Sequence, residues 1–341
     1  MTNCRVKNQE IHFIEGVKER IQPGIIEKGK INDISRLSES LYNLIKKSSE
    51  KPANILFSPA AGEVLVRTIK IPNMPEDEVR EALYWEVEDY LPFSADDAAF
   101  DYTVINTDEE GQLEVLLVVL PRKVLNNYNK VFQKAGISAQ VANTQELALS
   151  SLLLNQGKLK EATLILNMGA VSTQIIILSQ EEFFLSRMVE IGGNDFTEVF
   201  KSPENSFWEA EKYKKEYSIE NTELKEEQLQ LDKILNGSQE SLNFNEGIKS
   251  LIRDLSKEIN RSLSFYSNRH RGDNINKAFY TGGGFLLKGL ISKLEDEINI
   301  KLNPINPFEN ITIEENTLDK AVEYFSVSLG LVVSEVIDDE S

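Results

Sequence analysis

Apolar residues along the chain switch repeatedly between a spacing of about 3.6 and a spacing of about 2, so helices and strands are both expected and intermixed. A short strand over residues 10–14 and a loop holding Pro23, Gly24 and Gly29 come first. A helix over 33–47 follows, with Ile34, Leu37, Leu41, Leu44 and Ile45 on one face and Lys46 and Lys47 at the negative end of its dipole. Residues 53–57 read as a buried strand, after which Ser58, Pro59, Ala60, Ala61 and Gly62 mark a turn and a domain boundary.

The next block is compact. Strand 63–71 leads through Pro72, Asn73 and Met74 to a helix opened by Pro75 and the acidic turn Glu76, Asp77 and Glu78. Val79, Ala82, Leu83, Val87 and Tyr90 form its apolar stripe, and Pro92 sets its end just after Leu91. Strands 100–105 and 113–120 read as a hairpin, and a helix from Arg122 is closed by Gly136. Strand 137–142 then completes a β-α-β-β-α-β order of about 80 residues, that of a small α+β domain.

After a helix over 144–154, a second unit opens with strands 162–166, 172–178 and 182–191 in direct succession, a meander. A helix from Asp195, a charged helix over 206–217 and a polar stretch over 218–246 follow, the last expected to be partly mobile. A long helix over 247–267 carries Ile248, Leu251, Ile252, Leu255, Ile259, Leu263 and Tyr266 on one stripe. Strand 277–280, loop 281–284, helix 285–294, strand 300–302 and a final helix over 318–337 complete the pattern.

Composition narrows the function. The 341 residues suffice for two or three domains, and 37 basic against 55 acidic side chains leave a net charge of -18, which repels phosphate backbones and anionic lipid. Nucleic acid is therefore not an expected partner. Cys4 has no disulfide partner, and His12 and His270 lie far apart, so no zinc site is expected and a reducing compartment is. The longest purely apolar run, 115–120, is far short of the ~20 residues that span a bilayer, so no membrane insertion is expected and the reading is cytoplasmic.

Three glycine clusters carry the candidate chemistry. Between the first two strands of the meander, Asn167, Met168, Gly169, Ala170, Val171, Ser172 and Thr173 form a tight turn. It reads either as a phosphate-binding hairpin or as an ordinary hairpin with a glycine for positive φ. Gly192 and Gly193 sit at one strand-to-helix junction, and Gly282, Gly283 and Gly284 at another; each is a phosphate site at a helix start or a packing turn. Glu211 and Lys214 share a helix face and would hold a ribose or adenine edge, or simply pair with each other.

This order of meander and phosphate turn, Gly192-Gly193, the Glu211 and Lys214 helix, and Gly282-Gly283-Gly284 resembles the actin-like ATPases, a superfamily shared with sugar kinases, chaperone ATPase domains and FtsA. Within it the chain is similar to the type IV pilus assembly family PilM, most recognisably through Ile69-Lys70-Ile71-Pro72-Asn73-Met74-Pro75, Ala82-Leu83-Tyr84-Trp85-Glu86-Val87-Glu88 and Tyr90-Leu91-Pro92-Phe93. Supporting stretches are Pro23-Gly24-Ile25-Ile26-Glu27-Lys28-Gly29, Gly192-Gly193-Asn194-Asp195-Phe196-Thr197, Glu258-Ile259-Asn260-Arg261-Ser262-Leu263, Asn306-Pro307-Phe308 and Ser328-Leu329-Gly330-Leu331.

The resemblance implies an α/β, actin-like (ribonuclease H-like) two-lobed fold with an inserted small α+β subdomain. Residues 1–62, completed by 143–158 and helix 318–337, would form the first lobe core; 63–142 the insert; 159–205 and 275–317 the second lobe core; and 206–274 a helical subdomain. ATP with magnesium would bind between the lobes at Asn167, Gly169, Ser172, Thr173, Gly192, Gly193, Glu211, Lys214, Gly282, Gly283 and Gly284. The implied partner is the N-terminal cytoplasmic peptide of a PilN-like membrane protein, in a groove between the first half and the insert, with pilus motor components beside it. That partner would recruit the chain to the inner face of the membrane.

The chain departs from the pattern where magnesium is organised. The opening strand and hairpin with its aspartate before isoleucine and glycine is missing from the stretch Met1-Thr2-Asn3-Cys4-Arg5-Val6-Lys7. Asn167 replaces the aspartate of the second hairpin, and Asn143 replaces an acidic residue of the connecting segment. A neutral amide lacks the charge a hard cation favours. The expectation is a degenerate, non-enzymatic scaffold with no catalytic or metal-ligating residue and weak or absent nucleotide binding. The alternatives are a working ATPase gated by lobe closure and, lower, a sugar or acetate kinase, for which no aspartate base follows either phosphate turn.

Overall fold

The computed structural model describes residues 1–341 except 28, 51, 60, 61, 63, 89, 92, 93, 180–182, 220–237, 315–323 and 339–341. In chain order the elements are β1 (Thr2–Lys7), β2 (Glu10–Gly16), β3 (Ile26–Glu27), β4 (Lys30–Ile31), α1 (Ile34–Lys47), β5 (Leu56–Phe57), β6 (Leu65–Ile71), α2 (Glu76–Glu88), β7 (Ala98–Thr107), β8 (Leu113–Pro121), α3 (Arg122–Ala135), β9 (Val141–Ala142) and α4 (Gln145–Asn155). Then follow β10 (Thr163–Met168), β11 (Thr173–Leu178), β12 (Phe183–Val189), α5 (Gly193–Val199), α6 (Phe207–Glu216), α7 (Ser238–Arg269), β13 (Lys277–Thr281), α8 (Leu290–Ile298), β14 (Leu302–Pro304), β15 (Thr312–Ile313) and α9 (Ser326–Asp338). They divide into two compact units: Met1–Glu161, Leu178–Ser186 and Asn306–Ser341 make the first, and Ala162–Ile177 with Arg187–Ile305 the second.

In the first unit β1 and β2 form an antiparallel hairpin, and β15 adds in parallel beside β2. The hairpin turns through Asn8 and Gln9, both at positive φ (49° and 67°), the backbone of a mirror-image two-residue turn. The pattern predicted only 10–14 as strand, because charged Arg5 and Lys7 hide the first arm. Asp33 caps α1, its side chain accepting from the Arg36 amide at 3.0 Å, and Leu37 packs with Ile25 and Val131.

The sheet of the 63–142 block has three strands in the order β6-β8-β7, all antiparallel. Val115, Leu117 and Val119 of β8 point into a core with Ile69, Ile71 and the α2 stripe Val79, Leu83 and Val87. The expected fourth strand, 137–142, does not join this sheet. Gly136 ends α3 in the left-handed region at φ 75°, and only β9 then pairs, in parallel, with β5 through Leu56 and Val141. Boundary and helix-stop readings at Ala60, Ala61, Pro92 and Phe93, most of the polar stretch 218–246, and the start of the expected helix 318–337 lie outside the described residues. The C-terminal helix α9 lies on α4 so closely that a Cβ on Gly330 would stand 2.2 Å from the Ala148 carbonyl oxygen.

A five-stranded sheet, β12-β11-β10-β13-β14, belongs to the second unit apart from Leu178 of β11 and Phe183–Ser186 of β12. β10 pairs in parallel with β13, from Thr163 and Lys277 to Asn167 and Thr281, and β13 with β14. Every residue of β10 and β11 is buried, as expected of strands covered on both faces. After β13 the chain does not enter a helix at 285. Residues Gly283–Leu286 make a 3₁₀ turn, Leu287 is extended, and α8 begins only at Leu290 after Gly289 at φ 83°. Gly289 in the left-handed region breaks the expected helix, and the Lys288 carbonyl just before it accepts from the Ile219 amide at 3.0 Å.

Candidate functional site

All the residues singled out above fall in the second unit, and the fold brings the three glycine clusters onto one another. The Gly169 amide closes the first turn by donating to the Ser172 carbonyl at 2.9 Å. Gly169 is not a positive-φ residue, and a Cβ there would meet only Ser172 O at 3.6 Å, so this turn itself does not demand glycine. Its neighbours do. At Gly192 a Cβ would stand 2.5 Å from the Ser172 nitrogen; at Gly282, whose φ is 101°, 2.2 Å from the Met168 oxygen; and at Gly284, 2.3 Å from Met168 Cγ. A Cβ on Gly193 would lie 3.3 Å from the Gly284 Cα, and Gly283 opens the 3₁₀ turn. Gly192, Gly282 and Gly284 are close-approach residues around the 168–172 stretch.

Backbone hydrogen bonds stitch the second cluster to the first. Gly193 donates to Gly169 O at 2.9 Å and Asn194 to Ala170 O at 2.7 Å, while the Thr173 hydroxyl donates to Ile191 O at 2.6 Å. The Gly192 amide donates to Asp195 Oδ2 at 2.7 Å. Asn167 at the end of β10 donates through Nδ2 to Gln174 Oε1 at 3.3 Å, a pair of neutral amides in a buried position.

Glu211 and Lys214 are held over this junction by α6. That helix starts with a reciprocal cap in which Glu209 accepts from the Ser206 amide at 2.7 Å and the Ser206 hydroxyl accepts from the Glu209 amide at 3.3 Å. Lys214 is buried, and its ammonium reaches Gly193 O at 2.8 Å, Thr197 Oγ1 at 2.8 Å and Glu211 Oε2 at 2.6 Å. Thr197 also donates to Glu211 Oε2 at 2.6 Å. Burial pulls the Lys214 ammonium below its ordinary value against the opposing pull of Glu211. For Glu211 burial alone would raise the carboxyl, and hydrogen bonds from Lys214 and Thr197 reverse this, leaving it below its ordinary value. Thr197 was not legible as part of the group, since no local spacing ties it to a lysine on the next helix.

As a holder of magnesium this junction is poorly suited. Its strand-end position offers the Asn167 and Gln174 amides, not carboxylates, and among the described residues no group of three or more His, Cys, Asp or Glu is placed to bind a metal. The Gly169, Gly192, Gly193 and Asn194 amides already donate to Ser172 O, Asp195 Oδ2, Gly169 O and Ala170 O, so an anion would have to displace these bonds.

The first unit has a separate feature, a cavity of about 330 Å³ between the β3–β4 hairpin and the start of α3. Ile31 and Asn32 line one side, Val124, Asn127 and Tyr128 the other, with Lys123 at α3's first turn. Tyr128 is braced from behind by Phe57, ring to ring at 5.4 Å.

The family model of the type IV pilus assembly protein PilM matches residues 5–335. The chain belongs to the PilM family. A chain of a solved PilM-PilN type IV pilus biogenesis complex superposes with a TM-score of 0.80 at 22% identity, covering 98% of this chain and 94% of that one. The ethanolamine utilization protein EutJ from Carboxydothermus hydrogenoformans matches with a TM-score of 0.50 at 10% identity, over 91% of this chain and 77% of its own. The α/β architecture is thus the actin-like one that the PilM resemblance implied. The type II secretion system protein L of Xanthomonas campestris pv. campestris is 32% identical over 66 residues, 19% of this chain and 18% of that protein, so the chain spans under a fifth of that relative's length. Among the described residues no helix of this PilM-family chain is long and apolar enough to cross a membrane.

Proposed function

We propose that this chain is a cytoplasmic adaptor of type IV pilus assembly that captures the N-terminal tail of a PilN-like membrane protein and binds nucleotide weakly or not at all. Family membership across residues 5–335 and the likeness to a chain that is solved together with PilN support the partner. The observation that carries the docking site is the first unit's cavity. It bridges the β3–β4 hairpin and the 63–142 block, is walled by apolar Ile31, Val124 and Tyr128, and has the size of a pocket for one or two side chains of an extended peptide. In this reading the 63–142 block is the inserted subdomain, and recruitment to the membrane follows from the partner's anchor.

The test is titration of the full chain with a synthetic peptide of the cytoplasmic tail of the PilN-type protein from the same genome. Val124→Asp and Tyr128→Ala should each weaken binding at least tenfold, about 1.4 kcal/mol, with folding intact by circular dichroism. Equal binding by all three proteins removes the cavity from the proposal, and no binding by the wild type removes the partner.

The convergence of three glycine turns on Gly169 favours a second reading, a PilM-type ATPase whose closure regulates assembly. In that reading Gly169, Ser172, Gly192, Gly193, Gly282, Gly283 and Gly284 cradle phosphates. Calorimetry with Mg-ATP separates the two: the adaptor shows nothing tighter than about millimolar, and micromolar binding selects the ATPase.

A further inference from the structure

A lysine and a glutamate three apart on a helix facing a glycine-rich turn invite assignment to a ligand, the assignment given to Glu211 and Lys214 on sequence grounds. The atoms are already engaged elsewhere. An ammonium has three N–H donors. Lys214 has three acceptors within 2.8 Å, namely Gly193 O, Thr197 Oγ1 and Glu211 Oε2, all from the chain itself. Thr197 has one hydroxyl proton, which goes to Glu211 Oε2 at 2.6 Å in preference to Gly193 O at 3.0 Å; its lone pairs then face Lys214. The three side chains form a closed ring of hydrogen bonds, with the Gly193 carbonyl held by its one cation.

We infer that Lys214 is a positioning residue, committed to the protein's own Gly192–Gly193 turn and not to a ligand. Its ammonium grips Gly193 from the carbonyl side. On the other side the Gly193 amide donates to Gly169 O and the Asn194 amide to Ala170 O, at 2.9 and 2.7 Å. The glycine turn is therefore held between α6 and the β10–β11 turn, and a Cβ on Gly193 would press on the Gly284 Cα at 3.3 Å. A ligand recruiting Lys214 would have to replace three short hydrogen bonds and leave the Gly193 carbonyl, the Thr197 hydroxyl and the Glu211 carboxylate to be satisfied anew. Lys215, which reaches Glu211 Oε1 from the exposed side at 3.4 Å, carries a second cation but does not approach the turn. The inference stands apart from the partner reading, because nothing in it touches the cavity of the first unit.

The experiment uses the full chain and its Lys214→Met and Thr197→Val variants, the second a milder change that keeps shape and removes only the hydroxyl. Amide hydrogen exchange is followed over residues 169–172 and 193–197, with Mg-ATP titrated in parallel. Lys214→Met should speed exchange of the Gly193 and Asn194 amides at least tenfold, and Thr197→Val should move the same amides in the same direction by less, while saturating Mg-ATP should leave exchange of the wild-type Gly193 and Asn194 amides no faster. Unchanged exchange in either variant overturns the inference, as does faster exchange of the wild-type Gly193 and Asn194 amides on saturation with Mg-ATP, the mark of Lys214 leaving the turn for a ligand. Should Lys214→Met not fold, the Thr197→Val exchange alone decides.

Discussion

Replacing Gly282 by alanine tests whether the glycine junction is held by backbone or by side chains. The added Cβ would stand 2.2 Å from the Met168 oxygen, 2.7 Å from its carbonyl carbon and 2.9 Å from its nitrogen, so the obstruction is main chain and cannot rotate away. Overpacking of this kind costs about 1–3 kcal/mol. The backbone at φ 101°, ψ 146° is glycine territory, adding roughly 1–3 kcal/mol for any other residue. The sum centres on about 4 kcal/mol, and with a urea slope near 2 kcal/mol/M it lowers the unfolding midpoint by about 2 M. Gly284→Ala differs, because its Cβ meets Met168 Cγ at 2.3 Å and Sδ at 2.6 Å, a flexible side chain. Adding Met168→Ala should therefore recover about 1–2 kcal/mol from Gly284→Ala and nothing from Gly282→Ala, beyond the roughly 2–5 kcal/mol that Met168→Ala costs alone. The assay is available in the composition. The two tryptophans, Trp85 and Trp208, fall one in each unit, so a Trp85→Phe background makes Trp208 fluorescence report the second unit in urea. Rescue of Gly282→Ala by Met168→Ala would refute the reasoning.

Three further outcomes are expected. Burial raises the Glu146 carboxyl above its ordinary value of 4.5 despite hydrogen bonds from Ser186 and Thr144, so the folded state loses stability as pH rises past 4.5 toward the raised value. Glu146→Gln should therefore raise the melting temperature at pH 7–8, by a margin that shrinks to nothing near pH 4.5; a pH-independent margin contradicts this. Burial pushes the Cys4 thiol up to about 12, so iodoacetamide at pH 8 should modify it only on unfolding, and prompt labelling of native protein detected by mass spectrometry would contradict the packing. Asp33→Ala removes the α1 cap and should cost the first unit about 1 kcal/mol, read from Trp85 in a Trp208→Phe background.

Helices were legible wherever an apolar stripe met a terminator. Ile34, Leu37 and Leu41 behind Asp33 locate α1, and Gly136 at φ 75° ends α3 at the residue the pattern chose. What local pattern misses here depends on distant partners. β5 and β9 are two residues each and exist only through their pairing. The Lys288 carbonyl before α8 is paired with the Ile219 amide, far away in sequence. The candidate site divides in the same way. Its glycines were visible because three clusters interrupt the apolar runs, whereas what they pack on, Met168 for Gly282 and Gly284 and the 170–172 backbone for Gly192, and the Thr197 bridge between Gly193 and Glu211 appear only once the strands are paired.

The packing of α9 on α4 bears on the order of events at the ribosome. The second unit is drawn wholly from residues 162–305 and can close while the rest of the polypeptide is still being made. The first unit cannot, since α4 packs through Ala148 against Gly330 of α9, which is made only afterwards. A nascent chain stalled short of that point therefore presents α4 without its closing helix, the form in which a chaperone would meet it.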